Sequence, residues 1–458
     1  MLNRKIYSRL LEWKSRTNHK ALVVKGQRQV GKTFIIREFA KNEYEHLIEF
    51  NFSLDMDVRT AFEGNLRADD IIRGLMAFHD PSHFIPGKCL IFFDEVQDYP
   101  SAWASLKAFT EDGRFDVIAS GSRLGIDINV EDRNGTEIGE LLPTGYQTFL
   151  TMKPLDFEEF LWANGITPKQ VQEVRTGLRS RQMPAPALAK RFSELFREYL
   201  IVGGMPEAVS SFISEKNYSQ LDRILSDILV MCHQDISRYN HGVDKVKTAE
   251  CFDSIPRQLA NTNKKFMYSR MECNYSRKSA EKYMNNLLWI KYSGLGLFCH
   301  ALSQPTSPIR SNEMKDTFRV YLSDTGLLLN QYGREALRAV KMGDSKYNCG
   351  ALLENQIAIC LDHAGFTPHF YRKNDGPGKL DIDFIVETAR GVVAIEVKSG
   401  KDRDAPSIRK ASRLFTLGGL VQFEDCSYHV DEEGVEHLPL FTAAFFGDLF
   451  PEEDRDIR

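Results

Sequence analysis

Short apolar runs and helix-type periodicity alternate along the first 120 residues. Residues 21–24 and 89–93 are continuous apolar runs, which are typical of strands buried on both faces of a parallel sheet. Residues 115–119 form a third strand-like run, in which Asp116 is the polar residue. Residues 33–40, directly after the first run, have the pattern of a helix. The pattern therefore predicts an α/β domain with a parallel sheet in this part of the chain.

The middle of the chain is predicted to be helical. Apolar residues recur at helical spacing in residues 192–202 and 221–232, and Gly203 and Gly204 end the first of these helices. Residues 246–304 have the order of a winged-helix unit, with a helix at 280–289 and residues 290–299 as its wing. Such a unit either places a helix in a DNA groove or serves only as structure, and both interpretations stay open.

The last part of the chain returns to strand patterns. Residues 381–387 and 392–398 are two predicted strands, which are joined by a short polar turn that contains Gly391. Residues 350–361 have the pattern of a helix. A glycine turn between two strands predicts an antiparallel hairpin, in which Glu387 pairs with Val392.

The connection after the first apolar run carries a phosphate-binding pattern, G-x-x-x-x-G-K-T. Its residues are Gly26, Gln27, Arg28, Gln29, Val30, Gly31, Lys32 and Thr33. In such a loop, backbone N–H groups surround a phosphate chain, the lysine reaches the β- and γ-phosphates, and the threonine hydroxyl binds Mg²⁺. The alternative is a plain strand-to-helix turn, but the flanking strand and helix favour a site for ATP and Mg²⁺.

Polar residues that follow two more predicted strands extend this site. Asp94 and Glu95 follow the run at 89–93, where ligands bind at the carboxyl edge of a parallel sheet. We expect Asp94 to hold Mg²⁺ and Glu95 to orient the attacking water. Ser122, after the third run, is the predicted sensor of the γ-phosphate. The alternative for Asp94 and Glu95 is a solvated acid pair at a strand end, and the alternative for Ser122 is an ordinary Gly-Ser turn.

These features resemble the AAA-type ATPases of the P-loop class, and in particular a prokaryotic subgroup with a C-terminal nuclease-like domain. The resemblance extends to residues 154–160, 199–206 and 321–327. It implies ATP hydrolysis with Lys32 as a catalytic residue. Many relatives have a Gly-Arg pair where this chain reads Pro143, Thr144 and Gly145, so a trans-acting arginine in a homo-oligomer is in doubt here.

The C-terminal hairpin carries a second group of charges. In the predicted register, Asp383 lies opposite Glu396 and Asp381 opposite Lys398. All four would then share one face, with Ile382, Phe384, Val386, Val393, Ile395 and Val397 on the other. Two carboxylates with Cβ atoms roughly 5 Å apart repel each other unless a cation such as Mg²⁺ bridges them.

This spacing resembles the PD-(D/E)XK nuclease superfamily. The resemblance implies a restriction-endonuclease-like α/β domain in which Asp383 and Glu396 bind metal and Lys398 is catalytic. Glu354, in the predicted helix at 350–361, would be an additional metal ligand. The alternative is a cross-strand ladder of charges on a solvated face, since three such residues are a weak signature.

Composition and charge limit the partners and the cellular compartment that we expect for this protein. The chain has 458 residues, a net charge of −4 and a pI near 6.3, which argues against general coating of nucleic acid. Local positive charge is nevertheless present at Lys264, Lys265, Arg270, Arg277 and Lys278. The eight cysteines are scattered, and no segment has the length of a membrane span, so we expect a cytoplasmic protein with reduced thiols and no membrane partner.

The sequence thus predicts three regions. They are an AAA-type ATPase domain at 1–165, a helical lid and winged-helix region at 166–304, and a nuclease-like domain at 305–458. The predicted function is ATP hydrolysis coupled to a domain that binds or cleaves DNA. The alternative is a nucleotide-switched DNA-binding or signalling protein whose nuclease-like domain is an inert scaffold. The helical lid could equally be a simple link between domains.

Overall fold

The computed structural model describes residues 2–122, 145–240, 242–261, 263–268, 280–342, 349–373, 379–399 and 406–451. These residues form two compact units. The first comprises residues 3–153 with 292–294, and the second comprises residues 154–291 with 295–458. The predicted first boundary, at residue 165, therefore lies inside the second unit.

The first unit is built on a parallel five-stranded sheet in the order β2-β3-β4-β1-β5. The strands are β1 (Ala21–Lys25), β2 (His46–Asn51), β3 (Cys89–Asp94), β4 (Asp116–Gly121) and β5 (Gln147–Thr151). The helices are α1 (Lys5–Ser15), α2 (Lys32–Glu43), α3 (Ala68–Leu75) and α4 (Pro100–Asp112). The predicted α/β domain with a parallel sheet is confirmed.

Both faces of this sheet are buried, as its apolar runs predicted. On β1, Ala21 and Val23 pack into one hydrophobic cluster, and Leu22 and Val24 pack into a second. All six residues of β3 are buried. Continuous burial explains why these strands lack polar alternation, and it leaves their carboxyl ends as the positions where polar side chains gather.

The second unit begins with seven helices in its described part. They are α5 (Phe157–Ala163), α6 (Pro168–Arg179), α7 (Pro186–Val202), α8 (Pro206–Glu215), α9 (Tyr218–Tyr239), α10 (Gly242–Leu259) and α11 (Ala280–Tyr292). The helices predicted at 192–202 and 221–232 correspond to α7 and to part of α9. Four more helices follow: α12 (Thr325–Tyr332), α13 (Arg334–Met342), α14 (Gly350–His363) and α15 (Pro406–Leu414). The short helix α16 (Phe446–Leu449) ends the described chain.

A mixed eight-stranded sheet forms the rest of this unit, in the order β12-β13-β11-β10-β9-β8-β6-β7. Its strands are β6 (Gly296–Leu302), β7 (Glu313–Leu322), β8 (His369–Lys373), β9 (Leu380–Thr388), β10 (Gly391–Val397), β11 (Gly419–Glu424), β12 (His429–Val430) and β13 (Glu436–Pro439). β6 pairs with β7 and with β8. The predicted wing thus contributes to the C-terminal sheet, and the predicted boundary at residue 304 falls between two paired strands.

Three motifs of the family resemblance meet inside the second unit. The N–H of Leu155 donates to the carbonyl of Gly204 at 2.7 Å, and the N–H of Gly204 donates to the Asp324 carboxylate at 2.6 Å. A side chain at Gly203 would come within 2.2 Å of an Asp324 oxygen, so only glycine fits there. Burial raises the pKa of Asp324, although four backbone N–H groups favour its charged form.

Candidate functional site

The loop between β1 and α2 has the backbone that a phosphate site requires. Gly31, at the N-cap of α2, has φ 92°, and Gly26 has φ 157°. A Cβ atom at Gly26 would come within 2.1 Å of the Met152 carbonyl oxygen. Gln29 also has a positive φ, 62°, which is uncommon for a residue with a side chain. The loop therefore holds a tight, strained turn whose helix points its N-terminus at the loop.

Lys32 is held inside this loop. Its side chain is buried, and its ammonium group donates to the carbonyl oxygens of Gly26 and Gln27 at 2.8 and 2.9 Å. The ammonium is therefore already placed beside the loop backbone, where a bound phosphate chain would lie.

Asp94 is the most densely bonded side chain of the site. One carboxylate oxygen accepts from the Thr33 hydroxyl at 3.0 Å and from the Asn51 amide at 3.1 Å. The other accepts from the Glu95 N–H at 3.1 Å and from the Ser120 hydroxyl. Four donors fix the orientation of this carboxylate beside the Thr33 hydroxyl, and these two oxygen groups are ligands of the kind that Mg²⁺ prefers.

Strand order explains why these residues meet. Asn51 pairs with Asp94 at the ends of β2 and β3, and β4 lies between β3 and β1. Ser120, near the end of β4, thereby reaches the carboxylate. Neither Asn51 nor Ser120 was predicted from the sequence as a site residue. The available signal was a polar residue near the carboxyl end of a buried strand, but it identifies a site residue only when the strand order is known.

Glu95 and Ser122 lie at the same edge of the sheet. Glu95 has φ 51°, a left-handed conformation that is rare for a glutamate, and its carboxylate accepts from the Gln97 amide. Ser122 is buried, and within the described part of the chain its hydroxyl has no hydrogen-bond partner. The structure thus brings Lys32, Thr33, Asp94 and Glu95 together, while Ser120 takes the contact to Asp94. Pro143 and Thr144 lie outside the described residues.

The C-terminal hairpin has the predicted register: Val392 pairs with Glu387, and Ile395 pairs with Phe384. The predicted alternation of faces is wrong at Ile382, however, because Ile382 packs in one hydrophobic cluster with Ile385 and Ala394. β9 carries an extra residue relative to β8, since His369 pairs with Ile385 but Tyr371 pairs with Ile382. Such an irregularity shifts side chains to the other face.

Each acid of the predicted metal site has its own partner. Glu396 forms an ion pair with Lys398 at 2.7 Å, and Glu354 forms one with Lys264. The Asp383 carboxylate accepts from the N–H of Val397 at 3.0 Å. Lys264, which the sequence suggested as part of a DNA-binding surface, is thus engaged inside the second unit. Arg270, Arg277 and Lys278 lie outside the described residues.

An arginine that sequence analysis missed enters the same region. The buried Arg319 on β7 donates to the Asp381 carboxylate at 3.1 Å and to the Asp383 carbonyl at 3.3 Å. Its side chain also lies over the ring of Phe370. The sequence holds no signal for this contact because β7 and β9 are far apart along the chain.

Burial sets the protonation of the two buried glutamates. Burial and the nearby charge of Asp383 raise the pKa of Glu354 to about 7, although Lys264 and Arg319 oppose the rise. Burial also raises the pKa of Glu396, against the effect of Lys398. Within the described ranges, no three His, Cys, Asp or Glu side chains are placed to hold one metal ion. The binding of one ion by Asp383, Glu396 and Glu354 stays a prediction.

The structure also bears on membrane-spanning helices and on the cysteines. Across the residues that the structure describes, every helix is too short or too polar to cross a bilayer. The cysteines in these residues are free thiols, most of them buried.

Comparison with protein families identifies the N-terminal part of the chain. Residues 18–161 match a family model described as an AAA domain. Residues 193–338 and 349–440 match two models described as domains of unknown function, DUF8612 and DUF4143. None of the curated proteins matches the chain. With the loop geometry above, residues 18–161 are an AAA-type P-loop ATPase domain.

Two solved structures show weak similarity. One is the Aeropyrum pernix ORC1 protein in complex with DNA, with 14% identity, a TM-score of 0.27, and coverage of 75% of this chain and 93% of that chain. The other is a signal transduction ATPase with numerous domains and a tetratricopeptide repeat sensor from Pyrococcus horikoshii, with 12% identity and a TM-score of 0.26. That comparison covers 79% of this chain and 48% of the other, so the chain spans about half of that protein. These TM-scores are too low to support a conclusion about the fold or function of this chain.

Proposed function

We propose that this protein hydrolyses ATP with Mg²⁺ at the site formed by the β1–α2 loop and the ends of β3 and β4. The observation that carries this proposal is the Asp94 carboxylate, fixed by four donors beside Thr33, next to a loop that already holds Lys32. A rigid carboxylate beside a phosphate loop is the arrangement that phosphoryl-transfer catalysis needs.

The roles of the residues follow from their chemistry. The backbone of residues 26–33 surrounds the phosphates, and Lys32 moves from two neutral carbonyls to the phosphate oxygens. Thr33 and Asp94 would hold Mg²⁺, and the ion would supply positive charge to offset that of the phosphates. Glu95 orients the attacking water, and Ser122 offers its hydroxyl to the γ-phosphate.

For the C-terminal region we favour the inert scaffold over the nuclease. The support is that Lys264, Arg319 and Lys398 each pair with an acid or backbone group of the predicted metal site. A nuclease would need Asp383 and Glu396 to converge on one ion, with Lys398 released from Glu396. DNA as a partner, the helical lid and a homo-oligomer are further proposals. Of the cations that suggested DNA binding, Lys264 pairs with Glu354, and Arg270, Arg277 and Lys278 lie outside the described residues.

One experiment tests both parts of the proposal. Purified protein is incubated with ATP and Mg²⁺, and phosphate release is measured. In parallel, plasmid, linear and single-stranded DNA are incubated with the protein and Mg²⁺ or Mn²⁺, with and without ATP. We expect phosphate release that Lys32→Ala abolishes, and intact DNA. Cleavage that Asp383→Ala removes would contradict the scaffold, and the absence of ATP turnover would contradict the ATPase.

A further inference from the structure

Three helices of the second unit line an open cavity that none of the predicted functions uses. It lies between α9, α10 and α12 and has a volume of about 480 Å³, within the range of roughly 300–1,000 Å³ that small-molecule sites occupy. Its lining combines apolar and polar side chains: Leu229, His233, Asp253, Pro256, Arg257, Ala260, Gln331 and Tyr332.

Polar contacts tie each pair of these helices, so the cavity is preformed. His233 on α9 contacts the Asp253 carboxylate on α10 at 3.2 Å. The Tyr332 hydroxyl on α12 donates to the carbonyl of Pro256 on α10 at 2.9 Å. Asn330, also on α12, donates to the Asp222 carboxylate on α9 at 2.8 Å. Walls fixed on all three sides reduce the cost of ordering a site when a ligand binds.

Gln331 is the feature that points to a ligand. It lies between Asn330 and Tyr332, both of which are bonded to neighbouring helices. Its Nε2 amide group is buried and finds no hydrogen-bond acceptor among the residues that the structure describes. A buried amide donor without an acceptor is costly, and a ligand with an acceptor group would satisfy it.

The lining also carries basic side chains, which favour a ligand with negative charge. His233 and Arg257 supply two basic side chains against the single carboxylate of Asp253. A hydrogen bond from the His233 ring to the Asp253 carboxylate raises the pKa of His233, although burial opposes the rise, and the raised pKa favours the protonated ring. Leu229, Pro256 and Tyr332 add apolar surface to the lining.

We propose that this cavity binds a small organic anion. Its carboxylate or phosphate contacts His233 and Arg257, its apolar body packs on Pro256, and an acceptor group receives the Gln331 amide. This site is separate from the nucleotide site in residue composition and does not depend on the proposed ATPase activity.

Calorimetry on the full chain tests the proposal. The Lys32→Ala variant serves as the background, so that the phosphate loop contributes no binding of its own. The probes are 4-acetylbenzoate and 4-acetylphenyl phosphate, which distinguish a carboxylate site from a phosphate site, and the uncharged 4-acetylbenzamide. We expect saturable binding of at least one anion, and binding of the amide at least about tenfold weaker, because a hydrogen bond to a charged group is lost.

Two added substitutions separate this cavity from other surfaces. Gln331→Leu removes the donor and is expected to weaken anion binding by about tenfold. Ala260→Trp, at an exposed wall position, fills the cavity and is expected to abolish binding. Gln172→Leu on the exposed side of α6 is the matched control and leaves binding unchanged. Circular dichroism checks that each variant is folded.

The proposal is overturned if neither anion binds, or if the Ala260→Trp chain binds an anion as tightly as the background chain. It is also overturned if 4-acetylbenzamide binds as tightly as the two anions. His233→Gln supplies a second test, since it keeps a donor but removes the positive charge, and unchanged anion binding in that variant contradicts the role of charge.

Discussion

The Thr33 hydroxyl donates to the Asp94 carboxylate across 3.0 Å, joining two motifs that are 61 residues apart in the chain. One motif supplies the phosphate loop, and the other supplies the acids at the end of a buried strand. Their contact converts two sequence patterns into one site. The predictions below test the residues around this contact and the charges of the second unit.

Lys32→Ala should weaken ATP binding by about tenfold or more. The substitution removes a charge-assisted contact to phosphate worth roughly 1.5–3 kcal/mol, which corresponds to a factor of ten or above. Isothermal titration calorimetry measures the dissociation constant. Lys41→Ala, on the exposed last turn of the same helix, is the control and should bind ATP like the parent. Equal affinity in the Lys32→Ala chain would refute the phosphate loop.

Ser120→Ala and Ser122→Ala should have different effects. Ser120 donates to Asp94, so its loss loosens the carboxylate and should raise the Mg²⁺ concentration needed for half-maximal turnover. Ser122 has no such contact, and its substitution should lower kcat while leaving the Mg²⁺ dependence unchanged. Steady-state kinetics at varied Mg²⁺ separates the two effects. If the Mg²⁺ dependence shifts only in Ser122→Ala, the assignment of the two serines is reversed.

Lys264→Met should destabilise the second unit by about 3–5 kcal/mol at pH 9 and by much less at pH 6, because the buried Glu354, whose pKa is about 7, needs its ion-pair partner only when it is charged. The double variant Lys264→Met, Glu354→Gln should recover much of this loss, since the uncompensated charge is gone. Denaturant unfolding followed by circular dichroism gives both values. If the two substitutions destabilise additively, the ion pair is not what holds Glu354 in the fold.

Asp431→Asn should reduce stability at neutral pH by on the order of 2 kcal/mol and have little effect near pH 2. Burial opposes ionisation of Asp431, but the Val435 N–H, Arg409 and His437 outweigh it and lower its pKa to about 2. A lowered folded-state pKa gives stability that is present above the unfolded pKa of about 4 and is lost as the pH falls toward 2.

Unfolding free energies measured between pH 7 and pH 3 check this dependence on Asp431. Asp425→Asn is the matched control, because Asp425 is mostly exposed and its ion pair with Arg197 should contribute little. A gap between the Asp431→Asn variant and the parent that stays constant over this range would contradict the shifted pKa.

Local patterns in the sequence predicted the phosphate loop, the buried strands and the register of the β9–β10 hairpin. These features depend on neighbouring residues, whose spacing fixes burial and turn geometry. Ser120 was missed because its contact with Asp94 depends on β4 lying beside β3. The ion pairs of Arg319 and Lys264 were missed for the same reason, since each side chain pairs with an acid from a distant segment. The irregularity in β9 likewise depends on its pairing with β8.

The Glu95→Gln variant gives the most direct measurement of the central claim. The substitution keeps the shape of the side chain but removes the negative charge that orients water for attack. ATP binding with Mg²⁺ is measured by calorimetry, and single-turnover hydrolysis is measured on the same preparation. The account predicts unchanged affinity, within about twofold, and hydrolysis slowed by about a hundredfold or more. Hydrolysis at the parent rate with normal binding would contradict the assignment of Glu95 and of this site as the catalytic centre.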